Sequence, residues 1–276
     1  MEEKGKEEQQ EKNEQQVKEV QSHVQMLIDI SSECSFFHDE QREGYAVIPF
    51  EKHQETHRIR SRDFRLWLIR KFYDRCGGSP ASDSVTRALQ TLEATALYKG
   101  DRFLMSFRVA EDGECFYYDL ADAEWRVVKV GANGWEITEH PFKFKRAGNT
   151  AAQVTPATKG DLSRVLHYIN VKGPAAQLLL QVYLVVCLVS GIPHPLLLLI
   201  GEKGAAKSTL TRIIKRLVDP SDEELLSLAR DQNELGLQLA KNYMPAFDNL
   251  DGMQGWQSDM LAKAVTGGGI TKRRLF

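Results

Sequence analysis

A glycine-bearing turn between an apolar run and a helical pattern carries the residues best suited to chemistry. Residues 196–209 read LLLLIGEKGAAKST, which is close to the phosphate-binding pattern G-x-x-x-x-G-K-[ST]. Gly201, Lys207 and Ser208 fit this pattern, and Ala206 stands where the second glycine is expected. In such a turn, backbone N–H groups surround phosphate oxygens and the N-terminus of the next helix faces the anion. The segment therefore predicts a nucleotide phosphate site.

The role of each side chain follows from its chemistry. We expect Lys207 to reach the β- and γ-phosphates of ATP, and the Ser208 hydroxyl to bind Mg²⁺. The methyl group of Ala206 would stand where the backbone approaches phosphate closely, which is unfavourable. A chance Lys-Ser after a glycine-bearing turn is the alternative interpretation. The expected nucleotide-binding residues are Gly201, Glu202, Lys203, Gly204, Ala205, Ala206, Lys207, Ser208 and Thr209.

An acidic residue after a second apolar run provides the other half of this chemistry. Residues 243–251 read YMPAFDNLD, and a strand that ends in an acid can hold Mg²⁺ through its water shell. Asp248 is therefore the second metal candidate, and Lys207, Asp248 and Asn249 are the predicted catalytic residues. Asn249 can position water but cannot take its proton. A plain strand-end cap is the other interpretation of Asp248.

Two basic segments are candidates for binding nucleic acid. Residues 266–276 read TGGGITKRRLF, in which Lys272, Arg273 and Arg274 follow three glycines. These side chains could reach phosphates, although a hairpin turn followed by a basic edge strand explains the composition equally well. The second segment, 57–75, carries seven Lys and Arg against two acids, with aromatic residues between them. Such mixtures suit single-stranded nucleic acid.

Helical periodicity within the second basic segment points to a core as well. Phe64, Trp67, Leu68 and Phe72 recur at the spacing of one helix face. We therefore expect an apolar face directed at a core and a basic face directed outward. Whether that outward face binds nucleic acid stays open at this point.

The elements that must position these residues fall into four regions. We expect a charged, partly disordered or helical tail over 1–40 and a small α+β module over 44–145. A polar linker over 146–160 then leads to an α/β domain over 161–276. The predicted helices of the module start near residues 61 and 82, and its predicted strands include 45–50 and 56–59.

The last region should alternate strands and helices around the turn. The expected elements are a helix near 161–168, an apolar helix from 175, a strand over 196–200, a helix to 218, a strand near 225–229, a helix over 232–241 and a strand ending at Asp248. This order predicts a parallel α/β sheet with the turn at the end of its central strand.

Composition excludes several classes of protein. The chain has 276 residues, 42% of them hydrophobic and 27% charged, with a net charge of −2, as in ordinary soluble domains. Its four cysteines lie far apart, so we expect reduced thiols and a cytoplasmic location. Residues 175–200 carry no Asp, Glu, Lys or Arg. The sequence GIPHP interrupts this run, which favours a buried helix and a strand over a membrane span.

These features together resemble the ATP-binding proteins related to phage, plasmid and poxvirus primase-helicases of helicase superfamily 3. The resemblance is strongest over 196–276, where GEKGAAKST, LVDP, RDQNEL, AFDNL and LAKAVTGGGITKRRLF follow one another in that family's order. It implies an AAA+-like ATPase that uses ATP and Mg²⁺, acts on DNA, expected to be single-stranded, and forms a homo-oligomeric ring during replication of mobile elements.

The resemblance also implies roles for single residues. Lys207 and Ser208 would bind nucleotide, Asp248 would organise Mg²⁺, and Lys272 to Arg274 would lie near DNA or a subunit interface. The chain ends at Phe276, before the sensor strand and arginine finger that such a core uses. We therefore expect an incomplete ATPase domain that binds ATP with little turnover. A regulatory or signalling ATPase acting through protein contacts is the alternative.

Overall fold

The computed structural model describes residues 22–139 and 142–266. The chain divides into two compact units, Met1–Met105 and Ser106–Phe276. This division falls inside the predicted 44–145 module and differs from the four regions expected from the sequence. The predictions for the first 21 residues, and for Lys272, Arg273 and Arg274, lie outside the described residues.

The first unit combines a four-stranded sheet with three helices. Its strands lie in the order β3-β2-β1-β4, antiparallel except for the parallel β1–β4 pair. Helix α2 begins after Ser61, whose hydroxyl accepts a 3.2 Å hydrogen bond from the Phe64 N–H. The elements are α1 (22–30), a 3-10 helix (Ser31–Glu33), β1 (Ser35–His38), β2 (Gly44–Pro49), β3 (Gln54–Arg58), α2 (Arg62–Cys76), α3 (Ser82–Tyr98) and β4 (Asp101–Arg102).

The core of this unit confirms the apolar face predicted for α2. Phe64, Leu68 and Phe72 are buried and belong to one cluster with α1, α3 and the sheet. Trp67 is only partly buried and packs against that cluster. Burying these rings removes a large apolar area from water, which is the main source of stability for so small a unit.

The second unit begins with a small antiparallel sheet. Its strands follow chain order, β6-β7-β8-β9. The elements of this part are β5 (Met105–Ser106), which straddles the division between the units, β6 (Val109–Glu111), β7 (Phe116–Asp119), β8 (Arg126–Gly131), β9 (Gly134–Glu139) and β10 (Lys143–Phe144).

Helices dominate the rest of the second unit. Helices α4 and α5 contribute Leu180, Leu184, Ile214 and Val218 to one buried cluster. Strands β11 and β12 pair in parallel across α6. The elements are a 3-10 helix (Leu162–Tyr168), α4 (Pro174–Val186), α5 (Lys207–Val218), β11 (Leu226–Ser227), α6 (Gln232–Lys241), β12 (Phe247–Asp248) and α7 (Gly255–Val265).

The predicted parallel sheet is realised only in part. The described residues form a mixed α/β structure with several small sheets, in which β11 and β12 are the parallel pair of this region. The predicted strand over 196–200 is not a strand, and Leu196, Leu198 and Ile200 are 61%, 66% and 87% exposed. A strand needs a hydrogen-bonding neighbour on at least one edge, and no described residue provides one.

The predicted linker over 146–160 has no helix or strand but is held firmly at several points. Arg146 donates to both carboxylate oxygens of Asp119, at 2.9 and 2.6 Å. The Ala151 N–H donates to Pro220 O at 3.1 Å, and the Gln153 N–H donates to Leu120 O at 2.8 Å. These bonds fix the segment against the rest of its own unit.

The length of α4 tests whether the apolar run over 175–200 forms a membrane-spanning helix. Helix α4 covers 13 residues, Pro174–Val186, so it begins at the position expected for the apolar helix and ends well before residue 200. Within 22–139 and 142–266, none of the helices combines the length and hydropathy needed to span a membrane.

Candidate functional site

The turn before α5 is a tight loop that places two residues in the left-handed backbone region. Gly204 has φ +84° and Ala206 has φ +59°, and the Ala205 N–H donates to Glu202 O at 3.2 Å. Residues 201–206 are all exposed. An alanine in the left-handed region costs about 1–2 kcal/mol, which explains why a glycine is the expected residue at position 206.

Lys207 opens α5 and folds back over this loop. Its Nζ donates to Gly201 O at 2.8 Å and to Glu202 O at 2.9 Å. The ammonium group is therefore held above the loop by two backbone carbonyls and has no carboxylate partner among the residues that the structure describes. Ser208 follows in the first turn of the helix, where backbone N–H groups have no acceptor within the helix. The structure thus brings the loop, Lys207 and Ser208 together.

A cavity of about 350 Å³ adjoins the loop. Its lining includes Ala205, Ala206 and Lys207 from the loop and α5, and residues 168–171. The lining residues are Tyr168, Ile169, Asn170, Val171, Leu198, Leu199, Ile200, Ala205, Ala206, Lys207, Thr209 and Leu210. Neither Ser208 nor Asp248 is among them. Apolar and polar residues both line the cavity, and Lys207 is the charged residue among them.

Asp248 lies at the end of β12, as the sequence predicts. Leu226 pairs with Phe247 and Ser227 with Asp248 in parallel register. The Asp248 carboxylate accepts a 3.0 Å hydrogen bond from the Asn249 N–H, and Asn249 itself has φ +57°. Across the described part of the chain, no three His, Cys, Asp or Glu side chains are grouped so that they could hold a metal ion.

A buried ionic network at the far end of α5 was not predicted from the sequence. Asp219 accepts from Arg108 Nε at 2.8 Å, from Lys215 Nζ at 2.7 Å and from the Met244 N–H at 3.0 Å. The side chains of Arg108, Lys215 and Asp219 are only 2%, 1% and 7% exposed. Arg108 also donates to the backbone oxygens of Asp119, Ala151 and Pro220.

The network holds Asp219 in its ionised form. Burial opposes ionisation, but the positive charge of Lys215 and the hydrogen bonds from Lys215, Arg108 and the Met244 N–H outweigh it. The pKa of the Asp219 carboxyl therefore lies below its usual range. Two cations and one anion are fixed by these contacts, and they tie the C-terminal end of α5 to β6, β7 and the segment around Ala151.

The sequence contained one signal for this network. Asp219 lies in the LVDP stretch that contributes to the family resemblance, directly after the predicted end of the helix. Its partner Arg108 is 111 residues away in the chain, and nothing in the local pattern around Arg108 identifies a buried ion pair. Only the folded chain shows that these side chains meet.

Comparison with known proteins gives one match. The family model described as actinomycete integrative conjugative element replication protein matches residues 162–276. No curated protein and no solved structure matches the chain. The matched residues run from the 3-10 helix at Leu162 through the loop and Asp248 to the end of the chain. This part of the chain is therefore similar to a replication protein of a mobile element.

Proposed function

We propose that the chain binds ATP with Mg²⁺ at the loop 201–206 and acts as a DNA-associated ATPase of the primase-helicase type in mobile-element replication. The observation that carries this proposal is the position of Lys207. Its ammonium group is held over an exposed loop by the carbonyls of Gly201 and Glu202, and Lys207 also lines the adjoining cavity.

Phosphate oxygens can replace those two carbonyls at little cost. The Lys207 ammonium is only partly buried, and its two acceptors are neutral, so an anionic oxygen makes a stronger hydrogen bond with it. The backbone N–H groups at the start of α5 point to the same place. The loop therefore offers a cation and several donors to a triphosphate.

The adjoining cavity suits the rest of the nucleotide. Its volume of about 350 Å³ lies at the lower end of the range for small-molecule sites, which runs from about 300 to 1,000 Å³. Ile169, Val171 and Leu210 supply apolar walls for a base. Tyr168, which is 70% exposed, lies at the edge of the cavity and can cover an aromatic ring.

The proposed Mg²⁺ needs few protein ligands. Mg²⁺ commonly keeps several waters and takes its remaining ligands from phosphates and one or two side chains. The Ser208 hydroxyl would be the direct ligand, and Asp248 would hold the metal through water. Asn249, which directly follows Asp248, would orient the attacking water. Because an amide cannot accept that proton, we propose slow hydrolysis.

Thermal stabilisation by Mg-ATP tests the nucleotide site. Wild-type protein should gain about 2.7 kcal/mol of stability at an ATP concentration 100 times its Kd, and Lys207→Ala should lose most of that gain. The matched control is Lys263→Ala, which removes one positive charge from the exposed surface of α7. An equal ATP-induced shift in wild type and Lys207→Ala, or none in wild type, refutes the site.

A regulatory ATPase that acts through protein contacts is the second candidate. The observation in its favour is the exposed apolar side of α4, where Leu178, Leu179, Val182 and Val185 are 49–70% exposed. Contiguous apolar surface of this kind marks interaction sites. Absence of DNA binding with retention of the Mg-ATP shift would favour this candidate over the first.

A further inference from the structure

The outward side of α2 is a basic surface with exposed apolar and aromatic side chains. The helix carries five Lys and Arg and two Asp. Over residues 22–105 as a whole, basic and acidic residues are equal in number. The helix therefore has an excess of three positive charges, and the rest of this range has an equal excess of negative charge.

The folded helix separates its two faces cleanly. Phe64, Leu68 and Phe72 are buried against the core. Arg62, Leu66 and Tyr73 follow the spacing of a single face of a helix and point away from that core. Leu66 is 50% exposed and Tyr73 is 52% exposed. The basic outer face expected from the sequence is thus present.

Arg62 and Arg65 differ in their partners from three other surface arginines of the unit. Arg60, Arg87 and Arg102 each form an ion pair with a carboxylate, namely those of Glu93, Asp83 and Glu40. Arg62 and Arg65 are exposed, and their side chains have no hydrogen-bond or ion-pair partner within 22–139 and 142–266. Their guanidinium groups can bind an external anion without first giving up an internal partner.

Arg70 and Tyr73 complete the surface. Arg70 donates to Asp74 at 3.0 Å but keeps 74% of its side chain exposed. Tyr73 lies three residues after Arg70 in the helix, which makes the two side chains neighbours on the helix surface. We call Arg62, Arg65, Leu66, Arg70 and Tyr73 together the α2 surface.

This combination fits a single-stranded nucleic acid better than an acidic protein. Planar guanidinium groups bind phosphates, and an exposed aromatic ring can stack on a base that is not already stacked in a duplex. The helix is roughly 22 Å long, which is enough to follow the backbone over several nucleotides. An acidic peptide would use the arginines but would have no use for the ring of Tyr73.

We propose that the α2 surface binds single-stranded DNA, with Arg62 and Arg65 on phosphates and Tyr73 stacked on a base. The proposal rests on the DNA association in the proposed function and adds a specific binding surface, separate from the nucleotide loop. It places DNA contacts in the first unit, outside the residues 162–276 that match the replication-protein family.

Binding of the full chain to fluorescein-labelled oligo(dT), measured by anisotropy at several salt concentrations, tests the surface. Arg62→Ala/Arg65→Ala should weaken binding at low salt by at least about tenfold. It should reduce the slope of log K against log salt by about 0.7 for each lost phosphate contact. Tyr73→Ala should weaken binding about 5- to 150-fold through lost stacking, with the salt slope unchanged.

The matched control is Arg87→Ala/Arg102→Ala, which removes the same charge from paired surface arginines of the same unit. If the control weakens oligo(dT) binding as much as Arg62→Ala/Arg65→Ala does, or if Tyr73→Ala leaves binding unchanged, the proposal that the α2 surface binds DNA is refuted. Tighter binding to duplex than to oligo(dT), or equal competition by polyglutamate, also overturns it.

The same variants separate this proposal from the nucleotide site. The α2 variants should keep the full Mg-ATP thermal shift, because Lys207 and its loop are untouched. Oligo(dT) binding that survives in all α2 variants refutes this surface alone. No oligo(dT) binding by wild type refutes both the surface and the DNA association, whereas loss of the ATP shift in Lys207→Ala remains a separate result.

Discussion

Asp219 is the position of the buried network at which a substitution should reduce stability most, because it is the shared partner of Arg108 and Lys215. Replacing it by asparagine keeps the size of the side chain and removes its charge. Arg108 and Lys215, which are almost fully buried, then lose their shared counter-ion. The NH₂ group of the new amide would also face Arg108 or Lys215, both of which are hydrogen-bond donors and cannot accept from it.

The expected cost follows from that geometry. Breaking a buried ion pair by removing one partner costs about 3–5 kcal/mol, because a charge is left uncompensated inside the protein. With a urea m-value of about 1–3 kcal/mol/M, the unfolding midpoint should fall by roughly 1–5 M. The control Glu136→Gln removes a charge from an exposed pair of the same unit, Lys129–Glu136, at 3.3 Å. It should leave the midpoint unchanged.

Hydrogen–deuterium exchange locates the effect. In Asp219→Asn, peptides from α5 should exchange faster, because the network holds the C-terminal end of that helix. Peptides from α2, in the other unit, should exchange as in wild type. Equal urea midpoints for wild type and Asp219→Asn, or faster exchange in α2 alone, would refute the reasoning.

The pH dependence gives an independent check with a defined sign. The folded pKa of Asp219 is lowered, so its stabilisation is fully present above the unfolded pKa of about 3.9. It is lost as pH falls through the lower folded pKa. The difference in unfolding free energy between wild type and Asp219→Asn should therefore be large at pH 7 and shrink below about pH 4. A difference that does not change with pH contradicts this account.

Two backbone predictions concern positions where a methyl group matters. Ala206→Gly should change the unfolding free energy by 0 to about +1 kcal/mol, because relief of the left-handed backbone of Ala206 nearly cancels the added freedom of the unfolded chain. Ala205→Gly lacks that relief, so its free energy of unfolding, measured with urea, should fall by about 0.4–1 kcal/mol. A larger loss in Ala206→Gly than in Ala205→Gly would contradict the left-handed backbone at Ala206. Gly100→Ala should lower the free energy of unfolding by about 1–3 kcal/mol, measured by urea unfolding. The new Cβ would lie 2.6 and 2.7 Å from two backbone oxygens. Gly78→Ala, where a Cβ meets nothing within 4 Å, is the control, and equal effects of the two would refute the packing argument.

Local signals in the sequence were sufficient for most helices. Helix α6 covers Gln232–Lys241, the range expected from the sequence, and the Asp231 carboxylate caps it by accepting from the N–H groups of Asn233 and Glu234. Helix α2 is set by Ser61 at its start and by Gly77, with φ +70°, at its end. The helix expected near 161–168 forms as a 3-10 helix over Leu162–Tyr168.

The sequence also predicted the parts of the candidate site that are close together in the chain. Its loop, Lys207 and Ser208 are neighbours in the chain, so their proximity needs no tertiary information. The position of Asp248 at a strand end also follows from the local pattern. The cavity beside the loop could not be foreseen, because its lining includes 168–171, a segment without a recognisable motif.

By itself the sequence determined the limits of α2 and α6, the apolar face of α2 and the residues of the phosphate-type loop, because caps, turns and periodicity act over a few residues. Only the tertiary structure decided that 196–200 has no strand partner among the described residues, that Arg146 anchors a polar segment to Asp119, and that Arg108 reaches Asp219. Strand pairing and buried ion pairs depend on which residues, far apart in the sequence, the fold brings into contact. That is a property of the whole fold and leaves no local pattern in the chain.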